Sequence, residues 1–183
     1  MINKYGKILL RNVLGIAELF IIGLTVVLMV YVFAAQPLRV TGSSMLPNFF
    51  DSEQIIAEKL SVKFEAPKRG DIVICKHPNS PDKLVIKRLI GLPSETIKIK
   101  EGLVYINNNI LAEPYLAPNT TTKPEKSMEE GVEYKIPEGS FMVMGDNRTN
   151  SVDSRDWGPI SADYLIGKGL FIYYPLSKIG FIN

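Results

Sequence analysis

Three short stretches of this chain gather side chains that can do chemistry and that no packing pattern requires. The first is Thr41-Gly42-Ser43-Ser44-Met45-Leu46-Pro47, directly after a β-branched run. A serine behind a glycine-containing turn can present its hydroxyl and a backbone N–H to a carbonyl, although Gly-Ser-Ser is also ordinary turn chemistry. The second, Leu84 to Pro93 (LVIKRLIGLP), sets Lys87 and Arg88 inside an apolar run. Neighbours on a strand face opposite ways, so one of the two cations faces inward or needs a partner, unless both guard a sheet edge. The third runs from Gly145 to Gly158 (GDNRTNSVDSRDWG) and reads as an ordered polar loop or a flexible hydrophilic one.

Composition limits what those residues can build. The single Cys75 excludes an intramolecular disulfide and any CxxC site, and the single His77 excludes multi-His metal centres. A Ser-His-Asp or Cys-His hydrolase would have to use His77, which sits in Lys76-His77-Pro78-Asn79 and reads as a surface turn residue. Cys75 reads as a core thiol of a strand. No metal and no cofactor is expected. Residues 36–183 carry 18 Lys+Arg against 18 Asp+Glu, and this neutrality argues against nucleic acid as a partner.

The elements that must position these residues fall into two parts. Leu19 to Ala35 has no charge, and the apolar stretch extends back to Val13 with only Glu18 interrupting. A bilayer span needs about 20 residues, so 13–35 is expected to be a transmembrane anchor. Lys4, Lys7 and Arg11 all precede it, which places 1–12 in the cytoplasm and the body 36–183 outside by the positive-inside rule. A cleavable signal peptide has the same polarity but a shorter apolar region. A buried core helix is disfavoured, because the segment is apolar on every face.

After Pro37 the texture is mainly β: short β-branched runs broken by Gly, Pro, Asn and Asp. Strands are expected at 38–41, 52–59, 71–75, 84–90, 96–100, 103–106, 140–144 and 165–174. Asn107-Asn108-Asn109 reads as a hairpin loop. Residues 113–138, polar and Pro-punctuated, read as a surface insertion.

Taken together, these features resemble the bacterial type I signal peptidases, membrane-bound serine proteases with a Ser-Lys dyad. The resemblance is carried by Gly42-Ser43-Ser44-Met45-Leu46-Pro47, by Arg69-Gly70-Asp71-Ile72-Val73, by Ile86-Lys87-Arg88-Leu89-Ile90-Gly91-Leu92-Pro93, and by Gly145-Asp146-Asn147-Arg148 through Asn150-Ser151, Asp153-Ser154-Arg155 and Trp157-Gly158. Order and spacing agree over 13–174. The single N-terminal span and short inserts look like the Gram-positive branch.

That resemblance implies a single-pass protein of the cell membrane whose partners are the lipid bilayer and the signal peptides of secreted preproteins. Its β-rich extracytoplasmic domain would cut after small residues at the first and third positions before the scissile bond. It assigns Ser44 as nucleophile and Lys87 as general base, a role a lysine can fill only when desolvation lowers its pKa. Ser151 would orient the lysine amine, while Arg88, Asp146, Asp153 and Arg155 would brace the site. Gly42 and Ser43 would flank the oxyanion hole, which includes the Ser44 N–H. Gly42 stands where some members have a serine, leaving the side-chain oxyanion donor unassigned. Val40, Met45, Phe49 and Ile86 would line the substrate pockets, with core packing as the alternative for each.

Other readings fit less well. A self-cleaving repressor would carry a DNA-binding helical domain where this chain has an apolar span. Ser80-Pro81-Asp82-Lys83 matches a Ser-x-x-Lys pattern, but its proline spoils the helix such a motif needs. A tethered β-domain that binds exported proteins without cutting them would need neither Ser44 nor Lys87.

Overall fold

The computed structural model describes residues 4–182, so Met1 to Asn3, within the expected cytoplasmic segment 1–12, and Asn183 lie outside it. The chain falls into two units, 1–36 and 37–183.

The first unit is one helix, α1 (Lys4–Met29), followed by a wider π-type turn at Val30–Ala34. Its stretch Leu10–Met29 is 20 residues long, apolar enough to cross a membrane, and 0% buried within the protein. At about 1.5 Å per residue that length matches a hydrocarbon core of about 30 Å. Of the anchor expected at 13–35, the last residue lies outside the helix, because Ala35 is already extended.

The second unit is mainly β. Its strands are β1 (Ala35–Arg39), β2 (Gln54–Glu58), β3 (Ile72–His77), β4 (Ser80–Gly91), β5 (Thr96–Lys100), β6 (Leu103–Ile106), β7 (Asn109–Ile110), β8 (Tyr134–Lys135), β9 (Ser140–Met144), β10 (Ile160–Ser161), β11 (Leu165–Tyr174) and β12 (Gly180–Phe181). The larger sheet runs β1-β2-β11-β3-β4-β9-β10, with β12 beside β11; the smaller runs β7-β6-β5-β8. Two four-residue helices, α2 (Ser61–Phe64) and α3 (Ser154–Trp157), lie between strands.

β4 lies between β3 and β9 in the larger sheet, so Lys87 and Arg88 are not edge charges. The turn between β3 and β4 is shorter than the sequence suggests. His77 pairs directly with Ser80, leaving only Pro78 and Asn79 as the loop and carrying Ser80 to Lys83 into the strand. A tight hairpin also joins β6 to β7, where Tyr105 pairs with Ile110 and Ile106 with Asn109. Its two loop residues, Asn107 and Asn108, take φ of 49° and 65°, the left-handed region that asparagine tolerates; Asn109 is already strand.

Buried side chains gather in three clusters. One joins Ile90, Met142 and Met144 to Ile97, Ile99, Val104 and Ile106 of the smaller sheet. A second holds Val40, Met45, Phe49, Ile55, Ala57, Ile72 and Ile74, and a third Val73, Cys75, Leu89, Phe141, Val143 and Ile160. Most of segment 113–138 is exposed, but it is more than a surface insertion. Thr122, Met128 and Ile136 are buried, and Met128 and Ile136 belong to the first cluster.

Candidate active site

Ser44 and Lys87 open onto one cleft of about 490 Å³. One wall is the chain from Leu38 to Gly42, the other the β4 run from Lys83 to Lys87, with Ile55, Ile74, His77 and Val152 completing it. Ser44 sits in the turn after β1. Its carbonyl accepts from the Asn147 N–H at 3.0 Å, while its own N–H donates to no group among the described residues. A positioned, unengaged N–H beside the hydroxyl is what an oxyanion hole needs. The neighbouring Gly42 N–H is occupied, donating to Asp51 Oδ1 at 2.8 Å. Ser43 is held through its hydroxyl, which accepts from Asn150 Nδ2 at 2.7 Å, and through its carbonyl, which accepts from Asn147 Nδ2 at 3.1 Å.

Lys87 is 3% exposed, and its Nζ donates to Ser151 Oγ at 3.1 Å. Burial pulls its pKa below the ordinary lysine value, since the ammonium loses hydration. The Asp153 carboxylate opposes this shift and the Arg155 guanidinium adds to it. Cys75 would oppose it only as a thiolate, and burial pushes that thiol up to about 12, so at neutral pH it carries no charge.

Along the chain the nearest carboxylates to Lys87 are Asp82 and Glu95, but the fold brings Asp153 closer. Ser151 Oγ donates to Asp153 Oδ2 at 2.8 Å, placing that carboxylate one hydrogen bond beyond the lysine's partner. Asp153 is already engaged: Arg155 donates from Nε to Oδ1 at 2.9 Å and from Nη2 to Oδ2 at 2.8 Å, and the Gly145 N–H donates to Oδ2 at 2.9 Å. Burial by itself would raise the Asp153 carboxyl, but Arg155, Gly145 and Ser151 outweigh it and hold it below the usual carboxylate range. Asp153 also caps α3, completing a capping box with Asp156. Gly145 must lack a side chain, because a Cβ there would collide with Ser151 Oγ and Ser44 O.

Arg88 faces away from Lys87 and is also buried, at 5%. It grips Asp146 in a fork, Nε to Oδ1 at 2.8 Å and Nη2 to Oδ2 at 2.7 Å, and its Nη1 donates to Gly70 O at 2.8 Å. Strand alternation requires only one of the two cations to turn inward; the fold buries both, on opposite sides of β4.

The fold distributes the expected pocket residues unevenly. Val40 and Ile86 line the cleft, whereas Met45, at 1% exposure, and Phe49, at 3%, pack in the core beneath it and form no part of its wall. His77, expected as a surface turn residue, ends β3 on the cleft with its ring edge-on to Trp157 at 4.5 Å. Its Nδ1 accepts from the Asn79 N–H at 3.1 Å, and among the described residues no carboxylate orients it as a Ser-His-Asp arrangement requires. Sequence reasoning left out Asn48, whose Nδ2 donates to Asp146 Oδ2 at 2.7 Å, and the buried pair of Arg148 with Glu113. Arg148 stood within a recognised motif, but nothing local announced its partner 35 residues away.

Comparison with known proteins places this architecture among relatives. The family described as signal peptidase, peptidase S26, matches residues 13–174. Signal peptidase I T of Bacillus subtilis (strain 168) is 37% identical over 181 residues, covering 97% of this chain and 93% of the relative. Signal peptidase I of Leptolyngbya laminosa is 37% identical over 171 residues, covering 87% and 79%. A crystal structure of a signal peptidase I from Enterococcus faecalis V583 is 30% identical, with a TM-score of 0.48 over 57% of this chain and 97% of that one.

Proposed function

The chain belongs to the signal peptidase, peptidase S26 family, and from that premise we propose a membrane-anchored serine endopeptidase that removes N-terminal signal peptides from exported preproteins, with Ser44 as nucleophile and neutral Lys87 as its base. The observation that carries the dyad is Lys87 itself, a buried amine on the serine's cleft whose hydrogen-bond partner is a hydroxyl instead of a carboxylate.

In the proposed reaction, Lys87 Nζ takes the Ser44 hydroxyl proton as Oγ forms a bond to the scissile carbonyl carbon. The Ser44 N–H stabilises the resulting oxyanion. Collapse breaks the C–N bond, and the leaving amine takes the proton from the Lys87 ammonium, leaving an acyl-serine. A water molecule then attacks the ester carbonyl and gives a proton to Lys87; the C–Oγ bond breaks, Oγ takes that proton back from the Lys87 ammonium, and the signal peptide leaves with Ser44 and neutral Lys87 restored. Ser151 orients the amine throughout. Arg155 keeps Asp153 from becoming the full counter-ion that would hold Lys87 protonated.

The substrate would enter extended, adding to the edge strand β1, which ends the order of the larger sheet. Val40 and Ile86 narrow the cleft on either side, in keeping with small residues at the first and third positions before the cut. For topology, Lys4, Lys7 and Arg11, all at the N-terminal end of α1, support residues 1–12 in the cytoplasm, one span in the cell membrane, and the body 36–183 on the far side.

The test is incubation of the full-length protein with a signal-peptide-bearing precursor and mass measurement of both products. Cleavage after a small residue is expected, with none by Ser44→Ala and unimpaired turnover by His77→Ala. A folded but inactive His77→Ala protein would overturn the lysine as base.

A further inference from the structure

The tripeptide Glu113-Pro114-Tyr115 is remote in sequence from Ser44, Lys87 and Ser151, yet it touches each of the three segments that carry them. Glu113 takes both Nη groups of Arg148, Nη1 to Oε2 at 3.2 Å and Nη2 to Oε1. The Tyr115 hydroxyl donates to Glu113 Oε1 at 2.7 Å, fixing the carboxylate from behind. The Tyr115 carbonyl accepts from Asn48 Nδ2 at 2.8 Å, in the turn that follows Ser44. The Tyr115 ring lies 4.0 Å from the guanidinium carbon of Arg88, the residue next to Lys87.

Arg148 is the link to the third segment. Its side chain is 0% exposed and that of Glu113 is 9% exposed. Its Nε donates to Gly145 O at 3.0 Å, its Nη1 to Thr122 Oγ1 at 2.5 Å, and its carbonyl accepts from Arg155 Nη1 at 2.9 Å. A guanidinium so deeply buried is tolerable only beside a carboxylate, and Glu113 supplies it. The loop that Arg148 pins, 145–155, carries the Ser151 hydroxyl to Lys87 and the Asn147 N–H to Ser44 O.

We infer that Glu113 is a positioning residue for the cleavage reaction: by neutralising Arg148 it fixes the 145–155 loop against the serine turn and the lysine strand, and so sets the geometry of the Ser44–Lys87 pair. Glu113 touches neither substrate nor the reacting atoms and acts through Arg148. The inference rests on Lys87 being the base.

The test is steady-state cleavage of a signal-peptide-bearing precursor by full-length Glu113→Gln in detergent micelles, followed from about pH 6 to about pH 11. Loosening of the loop by about an ångström predicts a kcat loss on the order of 10- to 100-fold. KM should stay within about twofold, because Glu113 forms no part of the cleft. The acidic limb of the kcat profile should move toward the ordinary lysine value as water reaches Lys87. Arg148→Met added to Glu113→Gln should cost little more, since both act through one contact. If Glu113→Gln does not accumulate folded, Tyr115→Phe removes only the hydroxyl that fixes Glu113. It should lower kcat by about two- to fivefold, with the same direction of pH shift.

Wild-type kcat in folded Glu113→Gln overturns the inference. So does a loss that matches the fraction of unfolded enzyme while the acidic limb stays in place. An additive Arg148→Met effect overturns the route through Arg148. The two readings fail separately: a wild-type acidic limb at the ordinary lysine value defeats Lys87 as the base, whereas a lowered wild-type limb that Glu113→Gln leaves unmoved defeats only the positioning role.

Discussion

Lys87 and Arg88 are consecutive, cationic and buried, and the two sides of β4 treat them in opposite ways. On the Arg88 side the protein supplies a carboxylate gripped by a fork, a backbone carbonyl and an aromatic face. On the Lys87 side it supplies one hydroxyl, and the nearby carboxylate is already committed to Arg155. The first environment holds a permanent charge in place; the second disfavours charge. The difference teaches that burial does not by itself set the role of a basic side chain. What decides is whether the local carboxylate is free or spoken for, and whether the cation can give up its proton, which a guanidinium cannot do at working pH.

The strongest way to break this comparison is to put a permanent charge on the wrong side. Lys87→Arg keeps a cation in the cleft but removes the base, and activity should fall by about 10³-fold or more, as far as in Lys87→Ala. Substantial turnover in Lys87→Arg, measured by precursor cleavage, would mean that the residue works as a cation, and the dyad would be withdrawn. The wild-type profile carries the same sign: with a pKa lowered by burial, Lys87 becomes neutral on raising pH through that value, so activity should rise there, well below the range of a free lysine.

Stability should separate the two sides next. Arg88→Met strands Asp146 in the interior and should cost about 3–5 kcal/mol in thermal or denaturant unfolding. Lys87→Met strands nothing, because Ser151 still donates to Asp153, and it should be neutral or stabilising at neutral pH. The sign follows from linkage. The folded-state pKa of Lys87 lies below the unfolded one, so the wild type loses stability as pH falls from the unfolded lysine value to the folded value, and no more below it. The advantage of Lys87→Met should therefore be full at low pH and vanish above the unfolded lysine value. Equal destabilisation by both variants would erase the distinction between the sides.

Much of this was legible in the sequence where the signal is local. Turn residues, β-branched runs and the apolar stretch announced a mainly β body and an apolar N-terminal helix, and the fold brings Ser44, Lys87 and Ser151, one from each of the three stretches singled out, to one region. What sequence could not supply was partnership across distance. The pairs of Arg148 with Glu113 and of Asn48 with Asp146 join residues 35 and 98 positions apart, and no local pattern requires either. Asp153 lies near Lys87 through Ser151, a contact between residues far apart in the chain that no local pattern requires. Met45 and Phe49, which the family resemblance set in the substrate pockets, pack in the core, the alternative that their apolar character also allowed. The surface reading of 113–138 missed Met128 and Ile136, two isolated apolar residues in a polar stretch that the smaller sheet buries.

The smallest expected effect concerns how much room each side leaves. Near Ser151 the packing is closed, and a Cβ on Gly145 has nowhere to go. At Gly42, on the cleft side, a Cβ would meet nothing within 4 Å, so space alone would admit a serine there. Conformation opposes it, because Gly42 has φ of +87°, a region that side chains adopt only at a cost of about 1–2 kcal/mol. Relief of that strain must rotate the turn that holds Ser44, and it would pull the Gly42 N–H from Asp51. Gly42→Ser should therefore lower the melting temperature by a few degrees, as a loss of about 1 kcal/mol does, and slow cleavage several-fold. A rise in kcat instead would show that the new hydroxyl strengthens oxyanion binding in the transition state by more than the turn loses. The open space beside Ser44 would then be an unfilled donor position, and the cleft side would be limited by missing hydrogen bonds where the Arg88 side is limited by packing.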